Sequence, residues 1–351
     1  MIQRRKSKQI EIGNIKIGGD APISVQSMTN TDTRDVKSTL KQINNMAEQG
    51  CELVRLAILN PDAAEAVREI KKQSPLPLIA DIHFDYRLAI KCIENGIDAL
   101  RINPGNIGKE EHTKKVVALA KTNNIPIRIG INGGSLEKEL EALDIPLSEK
   151  MVKSAMRHVQ ILEDNNFDKI KISLKSSDVL TTIEAYRLMA KNVDYPLHLG
   201  VTEAGTYTGG IVKSAVGLGT LLAEGIGDTI RVSLTDNPVE EVKAGYMILK
   251  SLGLRQRGIN FVSCPTCGRT QIDLIGLAKT VEKRLEDFNK PLTIAVMGCA
   301  VNGPGEAKHA DYGIAGGIKE GYIFKKGEII KRLPEEKLVD EFINLIHMEN
   351  V

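Results

Sequence analysis

Pro77-Leu-Ile-Ala-Asp-Ile-His-Phe84 and Ala99-Leu-Arg-Ile-Asn-Pro104, separated by a helix-periodic stretch, decide the fold. Each begins as a short apolar run and ends in polar residues. A continuous apolar run reads as a strand buried on both faces, and a helix between two such runs makes them parallel neighbours. Working outward, the same unit recurs along the chain. Apolar runs stand at Ile23–Thr29, Cys51–Ala57, Pro77–Ile82, Ala99–Pro104, Ile125–Ile131, Lys169–Lys175, Pro196–Glu203 and Thr229–Thr235. Each is followed by a helical pattern, and most starts are about 22–33 residues apart, one strand–helix unit. The fifth interval is longer, so Gly133–Ser148 should form a long loop or an added helix. Eight such units in about 250 residues have the size of a (β/α)8 TIM barrel. A doubly wound open sheet is the alternative, but no strand leads into a Gly-x-Gly-x-x-Gly turn.

Before the first unit, Ile10, Ile12, Gly13-Asn14, Ile15 and Ile17 read as a β-hairpin. Near Leu252–Gly258 the rhythm breaks. The remainder should be a smaller α+β domain, with helices at Ile272–Phe288 and Pro334–Met348 and a strand at Leu292–Val296. It also holds a Gly-rich stretch from Gly298 to Gly317 and a hairpin at Tyr322–Leu333. The expected domains are residues 1–253 and 258–351. The 351 residues are 42% apolar with no Trp and 4% aromatics, so an aliphatic core is required. A net charge of +2 does not suggest nucleic acid or an anionic membrane as partner. No apolar run approaches the roughly 18–20 residues that span a bilayer. A cytoplasmic location is therefore expected, and five cysteines there argue for metal or redox chemistry rather than disulfides.

In a (β/α)8 barrel the chemistry sits where the strands end. Polar residues collect there: Arg55; Asp81 and His83; Arg101 and Asn103; Arg128 and Asn132; Ser173 and Lys175; Arg231 and Ser233. Members of a pair two residues apart project to the same side of a strand. The cations Arg55, Arg101, Arg128, Lys175 and Arg231 would converge on one mouth as a site for a multiply charged anion. The plainer reading is that they are strand-end charges paired with loop carboxylates. His83 and Glu203 are candidate acid–base groups, although Glu203 at the rim could simply neutralise arginines. Asp81 could orient His83. His198, at a strand start, reads as a packed core histidine, and Cys51 and Cys92 as small buried hydrophobes.

The other three cysteines form a pattern. Cys264-Pro-Thr-Cys267 is followed, after a helix and a strand, by Cys299 in Met297-Gly-Cys-Ala-Val-Asn-Gly-Pro-Gly-Glu306. A Cys-x-x-Cys turn alone suits zinc, a dithiol pair or an iron–sulfur cluster. Three thiolates leave structural zinc one ligand short, and a fourth would have to come from Glu306, His309 or outside. They suit a [4Fe–4S] cluster with one weakly held iron.

With Gln26-Ser-Met-Thr29, Asp81-Ile-His83-Phe and Val201-Thr-Glu203-Ala-Gly205, these motifs make the whole chain resemble the 4-hydroxy-3-methylbut-2-enyl diphosphate synthases of the non-mevalonate isoprenoid pathway, in their two-domain bacterial form. That resemblance implies reductive opening of 2-C-methyl-D-erythritol 2,4-cyclodiphosphate, with two electrons from a flavodoxin or ferredoxin. It implies a [4Fe–4S] cluster on Cys264, Cys267, Cys299 and Glu306, the carboxylate being displaceable. It places the diphosphate among Arg55, Arg101, Arg128, Lys175 and Arg231, helped by Asp81, Asn103, Asn132, Thr202 and Ser233. Glu203 would handle a proton, with His83 beside the substrate.

Chain geometry adds one expectation. The last barrel helix, near Pro238–Leu252, should end at the bottom of the barrel. A short linker spans at most about 3.3–3.6 Å per residue, too little to reach the chain's own mouth. A homodimer in which each cluster domain caps the partner's barrel solves this. The rival readings are a pterin-binding-type barrel synthase or methyltransferase with a structural metal tail, and a non-catalytic electron-transfer module.

Overall fold

The computed structural model describes residues 2–103, 107, 109–299, 307–317 and 320–350. It divides into two compact units, Met1–Arg255 and Gln256–Val351.

In the first unit, β1 (Ile10–Ile12) and β2 (Ile15–Ile17) pair antiparallel as the expected hairpin. Eight parallel strands follow: β3 (Ser24–Met28), β4 (Leu53–Ala57), β5 (Leu78–Asp81), β6 (Ala99–Ile102), β7 (Ile127–Asn132), β8 (Ile170–Lys175), β9 (His198–Leu199) and β10 (Thr229–Ile230). Their order is β8-β7-β6-β5-β4-β3-β10-β9, and a single bridge, Ile172 to Leu197, joins the two ends into a barrel. Tyr186 reinforces that thin seam: its hydroxyl donates to the His198 carbonyl and accepts from the Leu174 amide.

The helices that cover the barrel begin where the sequence supplies caps. Asp35, Asn60, Asp85, Asp178 and Asn237 each accept an amide of the first turn, and Pro61 and Pro238 follow two of these caps. The extra residues after β7 include a short helix, Lys138–Glu141. β9 and β10 are much shorter than the runs Pro196–Glu203 and Thr229–Thr235 suggest. Side chains take over the backbone groups there: Asp228 accepts the Leu197 amide, and Glu241 the Leu234 amide.

Strand alternation sorts the side chains. On β8, Ile170, Ile172 and Leu174 enter the core beneath the helices, while the intervening Lys171, Ser173 and Lys175 occupy the opposite, barrel-inner face. At the bottom, the hairpin's Ile10, Ile12 and Ile17 pack on Leu53, Ile79 and Ala99 and plug one side of the barrel. Cys51 and Cys92 lie in the outer core as expected, and burial pushes both thiols up to about 12.

The second unit is a mixed five-stranded sheet ordered β11 (Ile259–Ser263), β12 (Leu292–Met297), β13 (Tyr312–Gly316), β14 (Glu320–Lys325) and β15 (Glu328–Pro334). Helices Leu274–Arg284 and Glu335–Asn350 supply its apolar core. Two strands escaped the sequence reading. Ile259–Ser263 is only half-buried and lacks a strong apolar run, and Tyr312–Gly316 lies inside the Gly-rich stretch. Gly313 is needed there, because a Cβ would stand 2.1 Å from the Phe324 ring. Among the described residues, no helix is long and apolar enough to cross a membrane.

Candidate active site at the barrel mouth

The five cations expected at the strand ends meet around one cavity of about 220 Å³. Asp81, His83, Asn132, Ser173, Thr202 and Ser233 complete its wall with Arg55, Arg101, Arg128, Lys175 and Arg231. The closed barrel brings them together from strands up to 176 residues apart, Arg55 to Arg231. Asn103 is not part of that wall, and its side-chain oxygen accepts the Gly130 amide at 3.1 Å. Glu203 lies in the loop after β9, exposed and outside the cavity wall, with a left-handed backbone (φ 51°). A glutamate in that conformation carries strain, which functional loops commonly retain.

Protein groups hold three of the cations from behind. Asp81 takes Arg101 at 3.2 Å and Arg55 at 3.4 Å, and Arg101 also donates to the Gly130 carbonyl at 2.8 Å. Glu241 grips Arg231 through two hydrogen bonds of 3.1 Å. The Met28 sulfur receives Arg55 at 2.8 and 3.1 Å and Arg231 at 3.5 Å. Asp81 is therefore chiefly a clamp on two arginines, with His83 at a looser 3.7 Å. Burial raises the Asp81 carboxyl, but Arg55, His83 and Arg101 outweigh it and hold the group ionised.

Arg128 and Lys175 differ from the other three. Arg128 is 2% exposed, and its Nε and Nη1 have no hydrogen-bond partner among the described residues. Burial, then Arg55 and Arg101, weaken its charged form; burial, then Arg128 and Arg231, do the same to Lys175. Buried donors without partners and like charges in a low-dielectric wall are costly. A bound polyanion relieves both costs.

Several contributors carried no strand-end signal. Glu241 sits on helix Pro238–Ser251, 3% exposed, where it also accepts from Ser27 at 2.8 Å. Its one visible mark is a carboxylate on the apolar helix face with Pro238, Val242, Gly245 and Leu249. Gly130 and Gly200 are required by close approach: a Cβ would lie 2.3 Å from Arg101 Nε and 2.6 Å from Lys175 Nζ. His198 is fully buried and bonds Thr229 through Nδ1 at 2.5 Å, the core role expected of it.

The cysteines lie in the other unit. Cys264 and Cys299 follow the C-terminal ends of the adjacent parallel strands β11 and β12. The Gly298 amide donates to Cys264 Sγ at 3.2 Å, and Gln271 N to the Gly298 carbonyl at 3.1 Å. The Cys267 amide donates to Thr270 Oγ1 at 3.2 Å, and hydrogen bonds from Arg269 lower the exposed Cys267 thiol below its usual range. Amide donation to sulfur and a lowered thiol are the surroundings a thiolate ligand needs. Among the described residues no three His, Cys or carboxylate side chains form a group able to hold a metal ion, and Glu306 lies outside those residues.

Together these features define a (β/α)8-barrel protein with a polycationic mouth, followed by a cysteine-bearing α+β unit. The chain belongs to the GcpE family: residues 7–246 match the GcpE TIM-barrel domain and residues 260–348 the GcpE protein C-terminal domain. It is 61% identical to 4-hydroxy-3-methylbut-2-en-1-yl diphosphate synthase (flavodoxin) of Geobacter sulfurreducens, over 97% of each chain. Its identity to the enzyme of that name from Clostridium perfringens is 59%, over 98% of this chain and 99% of that one. Among solved structures, a dihydropteroate synthase from Coxiella burnetii aligns with 71% of this chain and all of its own length, at a TM-score of 0.51 and 13% identity. That likeness concerns the barrel fold alone, so it lends no support to a pterin-binding synthase.

Proposed function

We propose that this protein reductively opens 2-C-methyl-D-erythritol 2,4-cyclodiphosphate and dehydrates it to 4-hydroxy-3-methylbut-2-en-1-yl diphosphate, taking two electrons from flavodoxin. The observation that carries the reading is the meeting of five cations from five strands around one small cavity. Relatives at 59–61% identity over nearly the full length bear the name of that synthase.

In this reading Arg128 takes the diphosphate most directly, because its Nε and Nη1 lack partners among the described residues, and Lys175 lines the same cavity beside it. Arg55, Arg101 and Arg231, aimed by Asp81 and Glu241, fix its orientation. Ser233, Thr202 and Asn132 supply neutral hydrogen bonds at the rim. Glu203, exposed above the cavity, holds the proton that leaves with the departing hydroxyl as water. Cys264, Cys267 and Cys299, with Glu306, would hold a [4Fe–4S] cluster, which when bound supplies the electrons.

Two features of the barrel unit support a homodimer in which the cysteine unit of one chain covers the mouth of the other. The barrel unit ends at Arg255, bound to Glu52 and the Ile23 carbonyl at the N-terminal ends of β3 and β4, the face opposite the mouth. Around the mouth, the loops and first helical turns after the strands expose Leu59, Phe84, Leu180 and Tyr207, an apolar rim suited to burial by a partner.

The test is anaerobic purification, iron and sulfide analysis, and assay of the cyclic diphosphate with reduced flavodoxin. Iron and sulfide near four each per chain, with conversion to the linear diphosphate, are expected. Zinc without sulfide, or a cluster that leaves the cyclic diphosphate untouched, defeats the reading.

A further inference from the structure

Beneath the mouth lies a second charged layer that substrate binding does not use directly. Lys171 starts the inner face of β8, four residues before Lys175 and so about 13 Å lower along the strand. It is 2% exposed, does not line the cavity, and its Nζ has no hydrogen-bond partner among the described residues. Its register partner across the ladder is Arg128, whose own side chain does reach the cavity.

The charges around Lys171 are two cations and one carboxylate. Arg128 comes from β7 and Arg55 from β4, while His198 faces it from β9. Asp228, just before β10, is the carboxylate that attracts it. That carboxylate is already engaged: Oδ1 by Ser7 at 2.8 Å and Arg4 at 3.2 Å, Oδ2 by the Leu197 amide at 2.9 Å, with Arg5 at 3.7 Å. Gln26 and His198 Nε2, also buried, have no partner among the described residues. Burial and Arg128 both disfavour the ammonium form. Arginine does not give up its proton in proteins, so the lysines are the groups that yield.

We propose that Lys171 is a proton-uptake site coupled to the mouth: uncharged in the empty barrel, it gains a proton from solvent when a dianion settles on Arg128 and Lys175. The inference rests on reading the mouth as the diphosphate site. The dianion offsets the charge of Arg128 that faces Lys171 and so removes the repulsion that adds to burial in disfavouring the ammonium form. Lys175, in the same cationic wall, contributes uptake of its own. Because binding consumes protons, affinity falls as pH rises through the interval between the free and liganded values of these amines.

The cyclic diphosphate suits the test, since each phosphorus carries one strongly acidic oxygen and the ligand itself does not titrate near neutrality. Binding to the full-length protein, without electron donor and hence without turnover, is measured by calorimetry near about pH 8 in HEPES and in Tris, which differ in ionisation enthalpy. The wild type should take up protons on binding. Lys171→Met should bind with uptake reduced by an amount approaching one proton. Lys171→Arg, which keeps a fixed charge at that place, should show the same reduction. Equal uptake in wild type and both variants, or binding with no buffer dependence in the wild type, overturns the inference alone. If the cyclic diphosphate does not bind at all, the reading of the mouth falls and the inference with it.

Discussion

The barrel mouth and the cysteine sheet place their working atoms in opposite ways. In the mouth, side chains hold side chains: Asp81 clamps Arg55 and Arg101, Glu241 clamps Arg231, and Met28 fills the angle between two guanidinium groups. In the second unit, backbone and short local contacts prepare the sulfurs: an amide to Cys264 Sγ, and a turn from Cys267 to Thr270. The difference follows from the chemistry. A polyanion needs several fixed charges converging on one place, which the closed barrel provides here from separate strands. Thiolates need two adjacent strand ends and a tight turn.

The contrast predicts separable failures, and the largest effect should come from the cysteine side. Cys299→Ser should remove the iron and all turnover while leaving affinity for the cyclic diphosphate unchanged, read by iron analysis and calorimetry. The mirror change, Arg128→Met, should keep iron and sulfide but weaken that affinity by about a hundredfold, in keeping with the 2–5 kcal/mol that a buried charged contact carries. If either change abolished both properties, the two units would not be functionally distinct.

A more local effect, short of the complete loss expected of Cys299→Ser, belongs to the rim. Glu203→Gln keeps the shape of the loop after β9 and removes one ionisable group from an exposed, left-handed position. Turnover should fall by about 10²- to 10⁴-fold, the range of general acid–base groups, with binding and cluster spectrum intact. Retained turnover would reduce Glu203 to a neighbour of the arginines.

The same contrast explains what was legible in the sequence. Strand-end cations were visible because an arginine closing an apolar run violates the pattern around it, and the cysteines because their spacing is local. The clamping roles were not: Asp81 stood out as a strand-end residue, but its hold on Arg55 and Arg101 did not. Glu241 lies on a helix ten residues after Arg231, and looks like any helical carboxylate until the helix packs beneath the mouth. Gly130 and Gly200 have no side chain to announce a role, yet each leaves the space in which a long cation lies against the wall. Lys171 stands near a strand start, a position where lysines usually reach water, so nothing local marks it as buried. The strands Ile259–Ser263 and Tyr312–Gly316 escaped because pairing in the sheet, rather than their own apolar content, makes them strands.

Whether the mouth works by placement or by total positive charge is decided by Glu241→Gln. The change removes a negative charge behind Arg231, so if net charge governed binding the dianion would bind more tightly. It also replaces a carboxylate that accepts Arg231 twice, Ser27 and the Leu234 amide with an amide that has one acceptor oxygen. Arg231 then loses its fixed direction, and hydrogen bonds to a charged group are worth about 1.5–3 kcal/mol each. Placement should win, because a guanidinium that must reorient forfeits the preorganised, desolvated contact while gaining only a screened long-range attraction. The expected result is affinity weakened by about tenfold, or about 1.4 kcal/mol, with the salt dependence of binding little changed. Tighter binding with a steeper salt dependence would show instead that total charge governs the mouth, and that the carboxylate behind Arg231 serves to restrain it.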